Sequence, residues 1–183
     1  MKAMVCTYYG PSEVLQLQEV EKPQTKDNEI LVRIHATSVT AADYRIRGLN
    51  VPFGFAVLMR LALGFHKPRN AILGLNFSGV IEAIGKNVKR FNVGDRVFGT
   101  SGMKFGAYAE YIAVSETSAV LPIPDNVTFS QAAAFPFGAL TALYFLRDKA
   151  HIKQGQKVLV YGASGSVGTA AVQLANYLGA EVT

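Results

Sequence analysis

Through the first two thirds of this 183-residue chain, apolar positions come in short runs rich in β-branched and aromatic residues, broken by glycine, proline and asparagine. Segments 3–8, 15–19, 29–39, 77–84, 96–98 and 107–114 carry strand composition, with turns supplied by Gly10-Pro11, Lys26-Asp27-Asn28 and Val93-Gly94-Asp95. Short, irregular strands in that rhythm predict a barrel or sandwich. Residues 40–47 have helical tendency, and 51–65 predict a second helix with an exposed apolar side. That side fits either local core or the wall or lid of a substrate pocket.

The pattern changes at 122–127, which divides the chain into a first domain, residues 1–124, and a second, 125–183. Thr128-Phe129-Ser130-Gln131 is a capping box that opens an alanine-rich helix, and Pro136 is expected to break or kink it. Residues 158–161, Val-Leu-Val-Tyr, predict a short strand buried in a parallel sheet. A glycine turn follows, then an amphipathic helix from about Ser166, a C′ glycine at Gly179, and a second strand starting at Glu181. Strand, turn and helix inside one βαβ unit form the context that a dinucleotide fingerprint requires.

Each residue of that turn has a physical task. Gly165 leaves space for a pyrophosphate that a Cβ would fill, and Gly168 lets the helix pack closely on the strand. The first N–H groups of the helix are free to meet phosphate oxygens. Gly162, Ser164, Gly165, Ser166, Val167 and Gly168 are therefore the candidate cofactor-binding residues, with Ala163 standing where G-x-G-x-x-G has its first glycine. The acidic or basic residue that selects between NAD and NADP is expected beyond Thr183, as are most strands of a doubly wound sheet.

Composition narrows the picture. Half of the residues are hydrophobic and 17% charged, which describes a globular chain. The single cysteine, Cys6, excludes a disulfide framework and a multi-cysteine zinc lobe, and it reads as a core residue of a cytoplasmic protein. Segment 53–65, the most hydrophobic, is interrupted by Arg60 and falls short of the roughly 20 residues of a membrane span. No secretory leader is apparent. The formal charge of +5 is scattered, with no binding helix or aromatic-interleaved groove, so no nucleic-acid partner is expected.

Several ordered motifs carry a resemblance to a known family: SVTAADYRIRG at 38–48, LGLNFSGVIEAIGKNVKRFNVGDRVFG at 73–99, GAYAEYIAV at 106–114, AAAFPFGALTAL at 132–143, and GASGSVG at 162–168. The chain resembles the zinc-independent quinone oxidoreductases of the medium-chain dehydrogenase/reductase family. The resemblance implies a β-rich GroES-like catalytic domain followed by the start of an α/β Rossmann domain, with a homodimer as the full-length assembly. The family's zinc enzymes place Cys where Thr40 stands and Gly-His-Glu where this chain has Gly74-Leu75-Asn76, and Leu75 offers zinc no ligand. The resemblance thus implies zinc-free reduction of quinones or α,β-unsaturated carbonyls with NADP or NAD as cofactor. It places Thr40, Asp43 and Tyr44 at the nicotinamide and substrate, and Thr141 beside the nicotinamide. For Asp43, proton transfer and a structural carboxylate bonded to backbone amides are both consistent. An alcohol or enoyl-thioester oxidoreductase on the same scaffold, or a non-catalytic binding module, are the alternatives.

Overall fold

The computed structural model describes residues 1–52 and 54–183; Phe53, which belongs to the predicted helix 51–65 and opens the apolar segment 53–65, lies outside the described residues. The chain divides into two compact units, Met1–Ala133 and Ala134–Thr183.

In the first unit, strand β1 (Lys2–Cys6) pairs antiparallel with β2 (Leu15–Glu19) across a 3-10 turn at Ser12–Val14. Cys6, Val14 and Leu73 are buried together beneath this pair, so Cys6 is a core thiol whose pKa burial raises. Strands β3 (Glu29–Thr37), β4 (Asn76–Ile84), β5 (Arg96–Thr100), β6 (Tyr111–Ser115) and β7 (Val120–Pro122) form an antiparallel sheet in the order β6-β3-β4-β5-β7. Alternation turns Ile30, Val32, Phe77 and Ile81 inward onto Val97, Ile112, Val114 and Val120. β7 was not predicted. It is three residues long and ends in Pro122, which is tolerated because β7 is an edge strand paired only with β5.

Two helices join β3 to β4: α1 (Ala41–Gly48) and α2 (Phe55–Leu63). α2 buries Leu63 but exposes Phe55, Val57, Leu58 and Leu61.

Helix α3 (Phe129–Leu143) starts in the first unit and continues in the second. Its capping box forms as predicted: Thr128 N donates to Gln131 Oε1 at 3.0 Å, and Gln131 N donates to Thr128 Oγ1 at 3.3 Å. Phe129 anchors the helix start. His35 stacks on its ring at 4.4 Å, the Arg96 guanidinium lies 4.9 Å from the centroid of the same ring, and Ser78 Oγ donates to its carbonyl at 2.7 Å. Pro136 does not break the helix. A proline costs one i→i−4 bond, and here burial of Ala132, Ala133, Ala139 and Ala142 holds the helix through it. A π-helical turn, Tyr144–Lys149, then extends α3, so that 129–149 is long and apolar enough to cross a membrane by length and composition alone.

The second unit continues with β8 (Lys157–Val158), α4 (Ser166–Tyr177) and β9 (Glu181–Val182), the two strands parallel. Leu146, Ala175 and Ala180 pack with Val158, Leu174 and Val182. The predicted buried strand 158–161 is not found: β8 takes only Val158 of it, Val158 and Val160 are half-buried, and Leu159 and Tyr161 are 77% and 100% exposed, because successive side chains point to opposite faces and only one face is covered. α4 closes as predicted on Gly179 (φ 80°), where Ala180 N donates to Ala175 O at 3.0 Å and Gly179 N to Asn176 O at 2.9 Å.

Candidate active site

Two groups of candidate residues form, one in each unit. In the first unit Thr40 is the N-cap of α1, and its capping box closes on Asp43. Asp43 Oδ2 accepts from Thr40 N at 2.8 Å and from Thr40 Oγ1 at 2.6 Å, while Asp43 N donates to Thr40 Oγ1 at 3.4 Å. Asp43 is only 3% exposed. The carboxylate is bonded to a backbone amide and to the hydroxyl that caps its own helix, the arrangement that the structural reading of Asp43 calls for. The T-x-x-D spacing of 40–43 carried that signal in the sequence. The Thr40 proton is directed to Asp43 Oδ2, which leaves the hydroxyl oxygen only as an acceptor. Tyr44 does not join the pair: it is 55% exposed, with the Arg47 guanidinium 5.5 Å from its ring.

The segment behind this pair is held by Asn76, which is buried and donates from Nδ2 to Ser38 Oγ at 3.0 Å, while Thr37 Oγ1 donates to Asn76 O at 2.7 Å. Gly74 (φ 92°) lies against Tyr108, where an added Cβ would come within 2.5 Å of the ring. A separate cleft of about 570 Å3 in the same unit is lined by Ala62 and Leu63 of α2 together with Arg69, Lys104, Phe105 and Tyr111. Thr40, Asp43 and Tyr44 do not line it.

In the second unit the glycine turn has the geometry of an anion cradle. Gly162 takes φ 81°, and Gly165 is the N-cap of α4. The first intrahelical donor is Thr169 N, to Gly165 O at 2.8 Å, which leaves the N–H groups of Ser166, Val167 and Gly168 facing outward, with no acidic residue in that turn. A Cβ on Gly165 would meet nothing nearer than Gly162 O at 3.5 Å, whereas one on Gly168 would lie 2.2 Å from the same oxygen. The protein itself thus needs glycine at Gly168, while the space over Gly165 stays clear for a ligand. Ser164 is exposed and Val167 half-buried. On α3, Gly138 approaches Ser166 so closely that a Cβ would sit 2.5 Å from its carbonyl oxygen. Thr141 follows one turn later on that face, its hydroxyl donating to Phe137 O at 2.7 Å. Gly138 is a contact that the sequence reading missed; its signal was a glycine inside an alanine-rich helix.

Residues 26–125 match the alcohol dehydrogenase GroES-like domain, and the whole chain aligns at 38% identity with a quinone oxidoreductase of Pongo abelii. The chain belongs to the medium-chain dehydrogenase/reductase family. It spans about half the length of the curated relatives it matches, 51% for the Pongo abelii protein. Among solved structures of this family, the quinone oxidoreductase of Coxiella burnetii superposes with a TM-score of 0.85 at 34% identity, over 100% of this chain and 55% of that one. A mycobacterial structure in complex with NADPH gives a TM-score of 0.81 at 31% identity, over 100% of this chain and 52% of that one. The first unit is accordingly the family's GroES-like fold, and the βαβ of the second is the beginning of its Rossmann fold.

Proposed function

We propose that the protein is an NADPH-dependent oxidoreductase that reduces quinones or α,β-unsaturated carbonyls by hydride transfer without zinc. In this reading the GroES-like portion, residues 1–124, carries the substrate side, and 125–183 carries the cofactor side. The observation that bears most of the weight is the clear space over Gly165 above the outward N–H groups of α4, since a pyrophosphate needs both. The bound nicotinamide supplies the hydride. Gly162 to Gly168 would hold its phosphates and Thr141 would flank the nicotinamide; Thr40, its proton committed to Asp43, would accept from a hydroxyl such as that of the reduced product, since a quinone or enone carbonyl has no proton to give.

The zinc-free reading is supported by the chemistry of named positions. Leu75 cannot ligate, and the Asn76 amide is engaged with Ser38. An electron-poor conjugated carbonyl takes hydride without a Lewis acid more readily than an alcohol gives it up, which favours reduction. The test is NADPH fluorescence titration of the purified protein, followed by turnover on quinone, enal and aldehyde panels with metal analysis alongside. Saturable NADPH binding, oxidation by a quinone or enal, and activity that survives a chelator are expected. Stoichiometric zinc, or a protein that never quenches NADPH fluorescence, would overturn the reading.

A further inference from the structure

Three buried side-chain atoms lack a hydrogen-bond partner among the described residues: Asp43 Oδ1, Arg47 Nε and the Tyr108 hydroxyl. They are chemically complementary, one carboxylate acceptor and two N–H or O–H donors. Asp43 and Arg47 lie four residues apart, on one face of α1. Tyr108 reaches them from the segment before β6, its ring seated on Gly74 and packed, with Ile46 of the same helix, against Cys6, Val14 and Leu73. The three groups act on one another electrically. Burial raises the Tyr108 pKa most, the Asp43 carboxylate raises it further, and Arg47 opposes the rise. The Arg47 charge also reaches the Cys6 thiol, which in turn acts on Tyr9.

We propose that Tyr108 is a positioning residue for the Thr40–Asp43 pair: its phenol, with Arg47, holds Asp43 Oδ1, so that Oδ2 stays turned to the Thr40 amide and hydroxyl. This rests on the reading of Thr40 as a ligand-orienting hydroxyl. The carboxylate is gripped at one oxygen by its own helix cap and at the other by a phenol from a different segment, which keeps it from rotating about its terminal torsion. A tyrosine kept in place only for its ring would need no buried hydroxyl. Here the hydroxyl is the part that faces the charged pair.

The test reads the Thr40 amide directly and needs no turnover. In 15N-labelled protein, Tyr108→Phe is expected to shift the Thr40 amide resonance and speed its hydrogen exchange about tenfold, the scale of one weakened bond to a charged acceptor. Tyr9→Phe, at a tyrosine that donates to Gly64 O, is the control and leaves Thr40 unchanged. A folded Tyr108→Phe protein with the wild-type Thr40 shift and exchange rate overturns the proposal. Should that variant not fold, Asp43→Asn in protein labelled at the tyrosine ring carbons gives the reciprocal reading, and an unmoved Tyr108 signal refutes the contact. Where wild type reduces a quinone, Tyr108→Phe is further expected to lower kcat with the KM for NADPH unchanged. A shifted Thr40 amide in a protein without any turnover would sink the functional reading alone, and an unshifted amide in an active enzyme would sink the positioning alone.

Discussion

Gly165 and Gly168 look equivalent in the sequence, since both are spaced as a fingerprint requires, but their surroundings assign them different work. Gly165→Val places its side chain into clear space at an ordinary extended backbone (φ −77°, ψ 164°), so the fold is expected to survive. NADPH binding should weaken by about 2–3 kcal/mol, near a hundredfold in Kd, measurable by fluorescence titration. Gly168→Ala instead drives a Cβ to 2.2 Å from Gly162 O and should destabilise the second unit by about 1–3 kcal/mol in urea, whether or not cofactor is present. A second residue-scale expectation concerns pH. Glu116 Oε2 accepts from Lys89 N at 2.9 Å and Arg90 N at 3.0 Å, and these backbone donors hold its carboxyl below the usual range. Its folded pKa is thus lower than its unfolded one, so its contribution is complete above the unfolded value, about 4.3, and fades as pH falls through the folded value. Glu116→Ala should lower Tm at neutral pH, and the two melting curves should converge in acid. A Tm gap that persists unchanged at low pH would contradict this.

At the scale of elements, the sequence was most legible where strand-forming residues lie between turn residues. The runs at 15–19, 29–39 and 77–84 carry strand composition between turn residues, and β2, β3 and β4 appear there, with β3 ending at Thr37. The caps were equally plain, because Thr128 with Gln131 and Gly179 act through local bonds. What stayed hidden depends on tertiary partners. Nothing in Val120–Pro122 announces a strand until β5 lies beside it, and no local rule says that packed alanines carry α3 through Pro136. In the candidate site, the glycines and the Thr40–Asp43 spacing were visible, whereas Tyr108 lies 65 positions further along from Asp43 and meets it only in the fold. α2 carries the exposed apolar side that its sequence predicts. Its outward Leu58 and Leu61 are 61% and 57% exposed, so Leu58→Asp with Leu61→Asp should change stability by no more than about 0.5 kcal/mol. The same pair should reduce the fluorescence of a bound apolar dye. A large loss of stability would mean that this face is buried in the protein as it exists in solution.

Across the whole molecule, burial is distributed unequally. β3 and β4 are each paired on both sides over a core that includes Ile30, Val32, Phe77 and Ile81, while β8 and β9 form a two-stranded sheet with one face covered. Hydrogen exchange should therefore be slowest at amides of β3 and β4 and faster by orders of magnitude along β8 and β9. Equal protection in both sheets would show that the second unit is stabilised by something other than its own core. The change of composition lies at 122–127, yet the compact units part at Ala133, inside a hydrogen-bonded helix. That placement constrains any recombination between relatives. A piece cut after Ala133 loses the donors for the carbonyls of its final turn, and one cut before Phe129 removes the ring that His35 and Arg96 both contact and the acceptor from Ser78. Neither half can be exchanged cleanly without α3, so the helix has to travel whole, and a chimera that respects it should fold where one spliced through it should not.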